Sequence, residues 1–141
     1  MAKTITGGCA CGAIRYECTA EPIVSAHCQC RGCQRFSGTG HMSIMLVPAD
    51  AVTVTGEPNF HESPADSGST TKRGFCPSCG SPVIGKSSGM ADVVFLPAGS
   101  LDDPSRFEPE VAVFTEYGHA WDHLDPGLMS FPGMPPAMPG E

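Results

Sequence analysis

Seven of the eight cysteines fall into three tight groups. Cys28-Gln29-Cys30-Arg31-Gly32-Cys33 places three thiols in a C-x-C-x-x-C run. Cys9-Ala10-Cys11 and Cys76-Pro77-Ser78-Cys79 are two further pairs, with 64 residues between Cys11 and Cys76. Thiols at this density constrain the fold more than any other feature, because they must meet a metal ion or a disulfide partner. An even count leaves a disulfide framework open. The C-x-C spacing argues against it, since bridging residues two apart strains disulfide geometry. Thiolates favour zinc, an iron–sulfur centre or Cu(I) over magnesium and calcium, and zinc is the leading expectation.

Structural zinc sites are four-coordinate and closed, whereas catalytic ones commonly keep three protein ligands and an open position. Cys9, Cys11, Cys76 and Cys79 supply two pairs and suit a closed site that ties the N-terminal hairpin to the middle of the chain. Cys28, Cys30 and Cys33 have no fourth cysteine beside them. Their site is either completed by a histidine or by Cys18, or left open to an exogenous thiol, water or carbonyl. The open site is the sharper expectation, and it makes these three the candidate catalytic residues. Spacing alone also allows Cys28/Cys30 to join Cys76/Cys79, with Cys9/Cys11 taking Cys18. Cys18 reads as a core residue, as buried free cysteines commonly are. His27 adjoins Cys28, but neighbouring side chains in extended chain point to opposite faces, so it reads as a packing residue or a support. His41 and His119 are the long-range ligand candidates.

The remaining composition frames these clusters. A chain of 141 residues suits one domain with a modest core, which a metal staple helps to hold. Abundant glycine and proline with few charges predict turns and short strands. Strands are expected at 13–18, 22–27, 42–47 (buried), 52–55, 70–75, 83–84, 92–96 and 111–115. A turn or short helix is expected at 34–39, a surface loop at 63–69, and a turn or single helical turn at 101–104. Residues 1–125 read as the zinc-binding domain. Residues 126–141, with five prolines and three methionines, read as a Pro/Gly/Met-rich tail that packs on the body or stays mobile. The net charge of −7 repels phosphate backbones and argues against nucleic acid. No long apolar run predicts a membrane span and the N-terminus carries no signal-peptide pattern, so the expected compartment is the cytoplasm.

Arg31, Gln34 and Arg35 flank the three-cysteine run, and Arg73 precedes the second pair. Beside an open zinc, Arg31 and Arg35 are the candidates to hold the carboxylates of a small anionic substrate, and Arg73 is comparable. Trp121, the single tryptophan, reads as packing or as a pocket cover. Asp122, His123 and Asp125 form a polar group able to supply acid–base chemistry.

GGCACGAIRYEC, HCQCRGCQRFSGTG and RGFCPSCGSP, in this order and spacing, resemble the family of glutathione-dependent formaldehyde-activating enzymes and centromere protein V. DVVFLPAGSLDDP and FTEYGHAWDHLDPGLMSFPG extend the similarity over most of the chain. The resemblance implies a mainly β, antiparallel β-tent-like single domain with short or no helices. It implies a structural zinc on Cys9, Cys11, Cys76 and Cys79, and a catalytic zinc on Cys28, Cys30 and Cys33. It also implies a reaction that joins glutathione to formaldehyde as S-hydroxymethylglutathione, a carbon–sulfur lyase run in reverse. A small-molecule thiol and aldehyde are then the expected partners. The alternative is a zinc-stabilised binding module without turnover; a third reading is a thiol switch.

Overall fold

The computed structural model describes residues 3–65 and 68–135. In chain order the strands are β1 (Ile5–Gly8), β2 (Arg15–Cys18) and β3 (Val24–Cys28). The single α-helix among the described residues, α1 (Arg31–Ser37), is followed by β4 (Met42–Pro48), β5 (Val52–Thr55), β6 (Asn59–Pro64) and β7 (Thr70–Phe75). Then come β8 (Pro82–Ser87), β9 (Val93–Pro97), β10 (Val111–Val113) and β11 (Met129–Ser130). The chain is mainly β, as the sequence predicts.

Two sheets result: a three-stranded one ordered β1-β2-β5, and an eight-stranded one ordered β11-β10-β3-β4-β9-β8-β7-β6. Most pairings are antiparallel, as expected, and β10 adds parallel pairings with both β3 and β11. The cause is the crossover after β9, which carries the chain back over the small sheet. There Leu101 bridges to Gly7 and Phe107 packs on the core. The chain thus enters β10 running the same way as β3.

Strand alternation gives the large sheet two different faces. One carries Met45, Val47, Val94 and Leu96, packed with Ile5, Tyr16 and Cys18 of the small sheet. The other carries Val24, Ala26, Cys28 and Leu46 with Val111 and Val113. Cys18 is fully buried in the first core, where its thiol donates to the Ala20 carbonyl. Burial raises the pKa of Tyr16 to about 12, and its hydroxyl meets that of Ser100 at 2.5 Å.

Most expected strands appear within two residues of their bounds, while β1, β6 and β11 have no counterpart among them. β6 is an edge strand exposed along nearly its whole length, so burial imposes no apolar alternation on it. Of the loop expected at 63–69, Ser63 and Pro64 belong to β6, and residues 66 and 67 lie outside the described residues. The turn or helix expected at 34–39 begins earlier, at Arg31, because Cys30 caps it: its sulfur accepts from the Cys33 amide. Phe114 ends β10 in the left-handed region at φ 56°, turning the chain into a 3-10 turn at Thr115–Tyr117. The chain from Met129 to Gly133 is stitched to β10 and to this turn, with the Phe131 amide on the Ala112 carbonyl and the Phe114 amide on the Gly133 carbonyl. Residues 136–141 lie outside the described residues. Among the described residues no helix is long and apolar enough to cross a membrane.

Leu96, fully buried between the two sheets, tests this core. Leu96→Ala is expected to destabilise the fold by about 2–5 kcal/mol through lost burial and a residual cavity. Urea unfolding, read as a lowered midpoint at unchanged slope, measures it.

Candidate metal centres

Four sulfurs converge where β1 and β7 end. The ligand atoms of Cys9, Cys11, Cys76 and Cys79 all lie within 4.8 Å of one another. Cys11 Sγ is 3.7 Å from both Cys9 Sγ and Cys76 Sγ. Two similar knuckles make the site. Each pair of cysteines is followed by a glycine in the left-handed region, Gly12 at φ 81° and Gly80 at φ 80°, which turns the chain back. The Gly80 amide donates to the Cys76 carbonyl at 2.8 Å, and the Ile14 amide donates to Cys9 Sγ at 3.3 Å. Ser81 spans the knuckles. Its hydroxyl accepts from the Ala10 amide at 3.1 Å and sits 3.2 Å from Cys79 Sγ. Hydrogen bonds from the Ser81 hydroxyl and amide draw the Cys79 pKa down to about 5. The Ala13 amide favours the Cys11 thiolate, but crowding by Cys9, Cys76 and Cys79 outweighs it and lifts Cys11 to about 11. Four thiols this close cannot all ionise unaided, whereas a bound cation removes their mutual repulsion.

The second cluster sits on the opposite face of the large sheet from the main core. Cys28 ends β3, Cys30 caps α1 and Cys33 lies in its first turn. Their sulfurs again lie within 4.8 Å of one another. Cys28 is buried, while Cys30 and Cys33 are partly buried. Hydrogen bonds from Cys28, then Cys33, together with the Cys33 amide and the Arg73 charge, hold the Cys30 pKa down at about 2. Hydrogen bonding to Cys30 and Cys33 pushes Cys28 up. For Cys33 the hydrogen bond with Cys28 acts downward, but the one with Cys30 and burial prevail and raise it to about 11. One ready thiolate among protonated neighbours is an arrangement that a cation completes.

The two groups match the division into Cys9/Cys11/Cys76/Cys79 and Cys28/Cys30/Cys33, and the alternative partition does not occur. All eight cysteines are unbridged. Among the described residues no histidine, carboxylate or further cysteine joins the three-thiol group. Cys18 is occupied in the core. His27 pairs in register with Ser43 on the face away from Cys28, with its Nδ1 2.8 Å from the Ser43 hydroxyl. Burial, then the neighbouring His41 imidazole, lower the His27 pKa. His41 Nδ1 lies 2.9 Å from the Asp122 carboxylate, and His119 Nε2 lies 2.8 Å from Gln34 Oε1.

Sequence reasoning missed the brace behind the thiol loop. Gln34 is buried, with its amide donating to the carbonyls of Gln29 at 2.7 Å and Tyr117 at 3.1 Å. Gln29, also buried, donates to Asp122 at 3.1 Å. The two glutamines thus fasten the segment 115–122 to the cysteine loop. Burial pushes the Asp122 carboxyl up, but hydrogen bonds from His41 and Gln29 prevail and leave it low, hence ionised. The expected Asp122/His123/Asp125 group divides: Asp125 instead accepts from the Gly127 amide. Trp121 is 62% exposed and stacks on His119, so it does not pack in the core. Two glutamines inside a cysteine motif give no sequence signal of burial.

Arg31 and Arg35 lie exposed on α1, with Arg31 donating to Gln34. Arg73, half-buried on β7, is the arginine that reaches the loop. A Cβ on Gly32 would meet its Nη2 at 2.6 Å. A cleft of about 700 Å³ opens elsewhere, beside Cys9, Arg15, His41 and Ser81. A smaller one of about 390 Å³ lies among Val52, Val54, Lys72 and Lys86. Neither is lined by Cys28, Cys30 or Cys33.

Gln34→Ala leaves the Gln29 and Tyr117 carbonyls unpaired and is expected to cost about 1–3 kcal/mol. Urea unfolding measures the loss. Amide hydrogen exchange is expected to quicken across 115–122 while β7 and β8 keep their protection.

Among solved structures, one from Rhodobacter sphaeroides shares the fold: TM-score 0.54 at 17% identity, covering 89% of this chain and 98% of that one. Among curated proteins no relative matches the chain. Residues 4–117 match the glutathione-dependent formaldehyde-activating enzyme family, and with both cysteine clusters inside that span the chain belongs to this family.

Proposed function

We propose that the protein is a zinc-dependent carbon–sulfur lyase-like enzyme, acting on adducts of a small thiol such as glutathione with an aldehyde such as formaldehyde. The observation that carries this reading is a group of three thiols, unaccompanied by any other metal-ligating side chain of the described residues, in a chain of this family. The donor chemistry suits zinc. A tetrahedral zinc–thiolate centre with bonds of about 2.3 Å sets its sulfurs about 3.8 Å apart, and the four-thiol cluster shows 3.7 Å. Cys9, Cys11, Cys76 and Cys79 would hold the closed ion, and Cys28, Cys30 and Cys33 the open one. When bound there, zinc supplies a positive charge that favours the thiolate of an added thiol or polarises an aldehyde oxygen.

The chain's own part is modest, as the reaction requires. A sulfur–carbon bond forms, the carbonyl π pair moves onto oxygen, and the thiol proton ends on that oxygen; the reverse breaks the same bond. No oxidant enters, so positioning and one proton transfer suffice. Arg31 and Arg35, exposed on α1, steer an anionic thiol towards the loop. The Gln29/Gln34 brace holds the thiols in place. Eight unbridged cysteines accord with a reducing compartment such as the cytoplasm.

One observation favours the second reading, a non-catalytic zinc-stabilised module: both clefts described above lie away from the three thiols. NMR exchange spectroscopy on glutathione and formaldehyde separates the two. The enzyme reading expects zinc-loaded protein to speed interconversion with the hemithioacetal above the buffer rate, and Cys30→Ser to remove that acceleration while the fold persists. A rate equal to buffer with glutathione and other small thiols favours the module. Cys76→Ser is expected to act differently, releasing the closed ion and lowering the melting temperature, because that site joins β1 to β7.

A further inference from the structure

We propose that Arg73 selects the thiol that enters the three-cysteine centre, favouring one that carries a carboxylate. This rests on the reading that a small thiol is the substrate. Its warrant is the position of the guanidinium. Arg73 pairs in register with Gly85, Gly85 with Phe95, Phe95 with Leu46 and Leu46 with Val24. That row sets Arg73 on the same face of the large sheet as Cys28. In a flat sheet, four strand spacings would separate β7 from β3 by ~19 Å. Yet the guanidinium lies against Gly32, between Cys30 and Cys33, where any side chain would have to displace it. The sheet therefore curls and α1 leans in, bringing Arg73 over the loop. Its charge acts on both Cys30 and Cys33.

Its donors are mostly unspent. Nη1 donates to the Ser63 hydroxyl at 3.2 Å, and no carboxylate among the described residues pairs with Arg73. Arg15 is held by Asp102, Arg106 stands 4.0 Å from Glu21, and Arg31 is held by Gln34. Phe95, which shares the register row of Arg73, packs on the core that Cys30 and Cys33 adjoin. A half-buried guanidinium that spends Nη1 on Ser63 and leaves its other N–H groups for a ligand matches a carboxylate in both charge and shape. Three thiolates around a divalent ion leave one net negative charge, and an incoming thiolate adds another. Arg73 stands where both that excess and a substrate carboxylate can be met.

Isothermal titration of the zinc-loaded protein with three thiols of similar size tests this: 3-mercaptopropionate, 2-mercaptoethanol and cysteamine. Wild type is expected to bind 3-mercaptopropionate roughly tenfold tighter than 2-mercaptoethanol, and Arg73→Gln to abolish the difference while leaving 2-mercaptoethanol within about twofold. Arg73→Lys, which keeps the charge but lacks the fork, is expected to recover part of the preference. Cysteamine is expected to bind weakest to wild type and to gain in Arg73→Gln. The proposal is overturned if wild type shows no preference, or if Arg73→Gln weakens the anionic and neutral thiols alike. It is also overturned if Arg73→Gln sheds zinc, which would make Arg73 a support of the centre. Because binding is read without turnover, the two readings fail separately. Charge-selective binding with no faster adduct formation retires the lyase and keeps the selection. Faster adduct formation with binding indifferent to Arg73 does the reverse. No binding of any thiol overturns both.

Discussion

The repulsion among crowded sulfurs, and its relief by a cation, is the interaction on which this structure depends. At each cluster the backbone crowds the thiols, favouring the thiolate at some and opposing it at others: Cys30 and Cys79 are drawn down, while Cys28, Cys33 and Cys11 are pushed up. Such a site is costly when empty and strongly favoured when filled. At the four-thiol site the gain from a bound ion would be mechanical: it would join segments 64 residues apart in sequence and fix the small sheet against the large one. At the three-thiol site the same chemistry comes without a fourth protein sulfur.

The two faces of the large sheet divide the work. β3 passes between two environments, with His27 turned to Ser43, His41 and Phe107, and Cys28 turned to the second core. Gln29 continues the alternation and reaches back to Asp122, which also holds His41. The imidazole–carboxylate network therefore supports the cysteine loop from behind. On the other side Arg73 lies against Gly32 of the loop.

Sequence reading went furthest where covalent spacing dictates geometry. C-x-C-G and C-P-x-C-G knuckles made the cysteines legible as metal ligands, and the resemblance favoured the division into Cys9/Cys11/Cys76/Cys79 and Cys28/Cys30/Cys33, but spacing left a second partition open that only the fold decides. Buried strands such as β4 were legible because both faces are apolar. What stayed hidden depends on tertiary context. β6 is exposed and carries no apolar alternation. β10 pairs in parallel only because a long crossover returns it to β3. Gln34 stands in sequence between Cys33 and Arg35 with no signal of burial, yet it is buried and braces Tyr117 and His119. Arg31 and Arg35 are near the cysteines in sequence. Arg73 is near them in space, an effect of sheet curvature that no local pattern records.

The most direct test of the account is zinc K-edge X-ray absorption on the protein as purified under reducing conditions, with the metal counted on the same sample. The account predicts two zinc ions per chain and seven protein sulfurs shared between them, the remaining position being a lighter atom that an added thiol replaces with sulfur. A folded chain without metal, or one whose second ion already has four protein ligands and ignores added thiol, would contradict it.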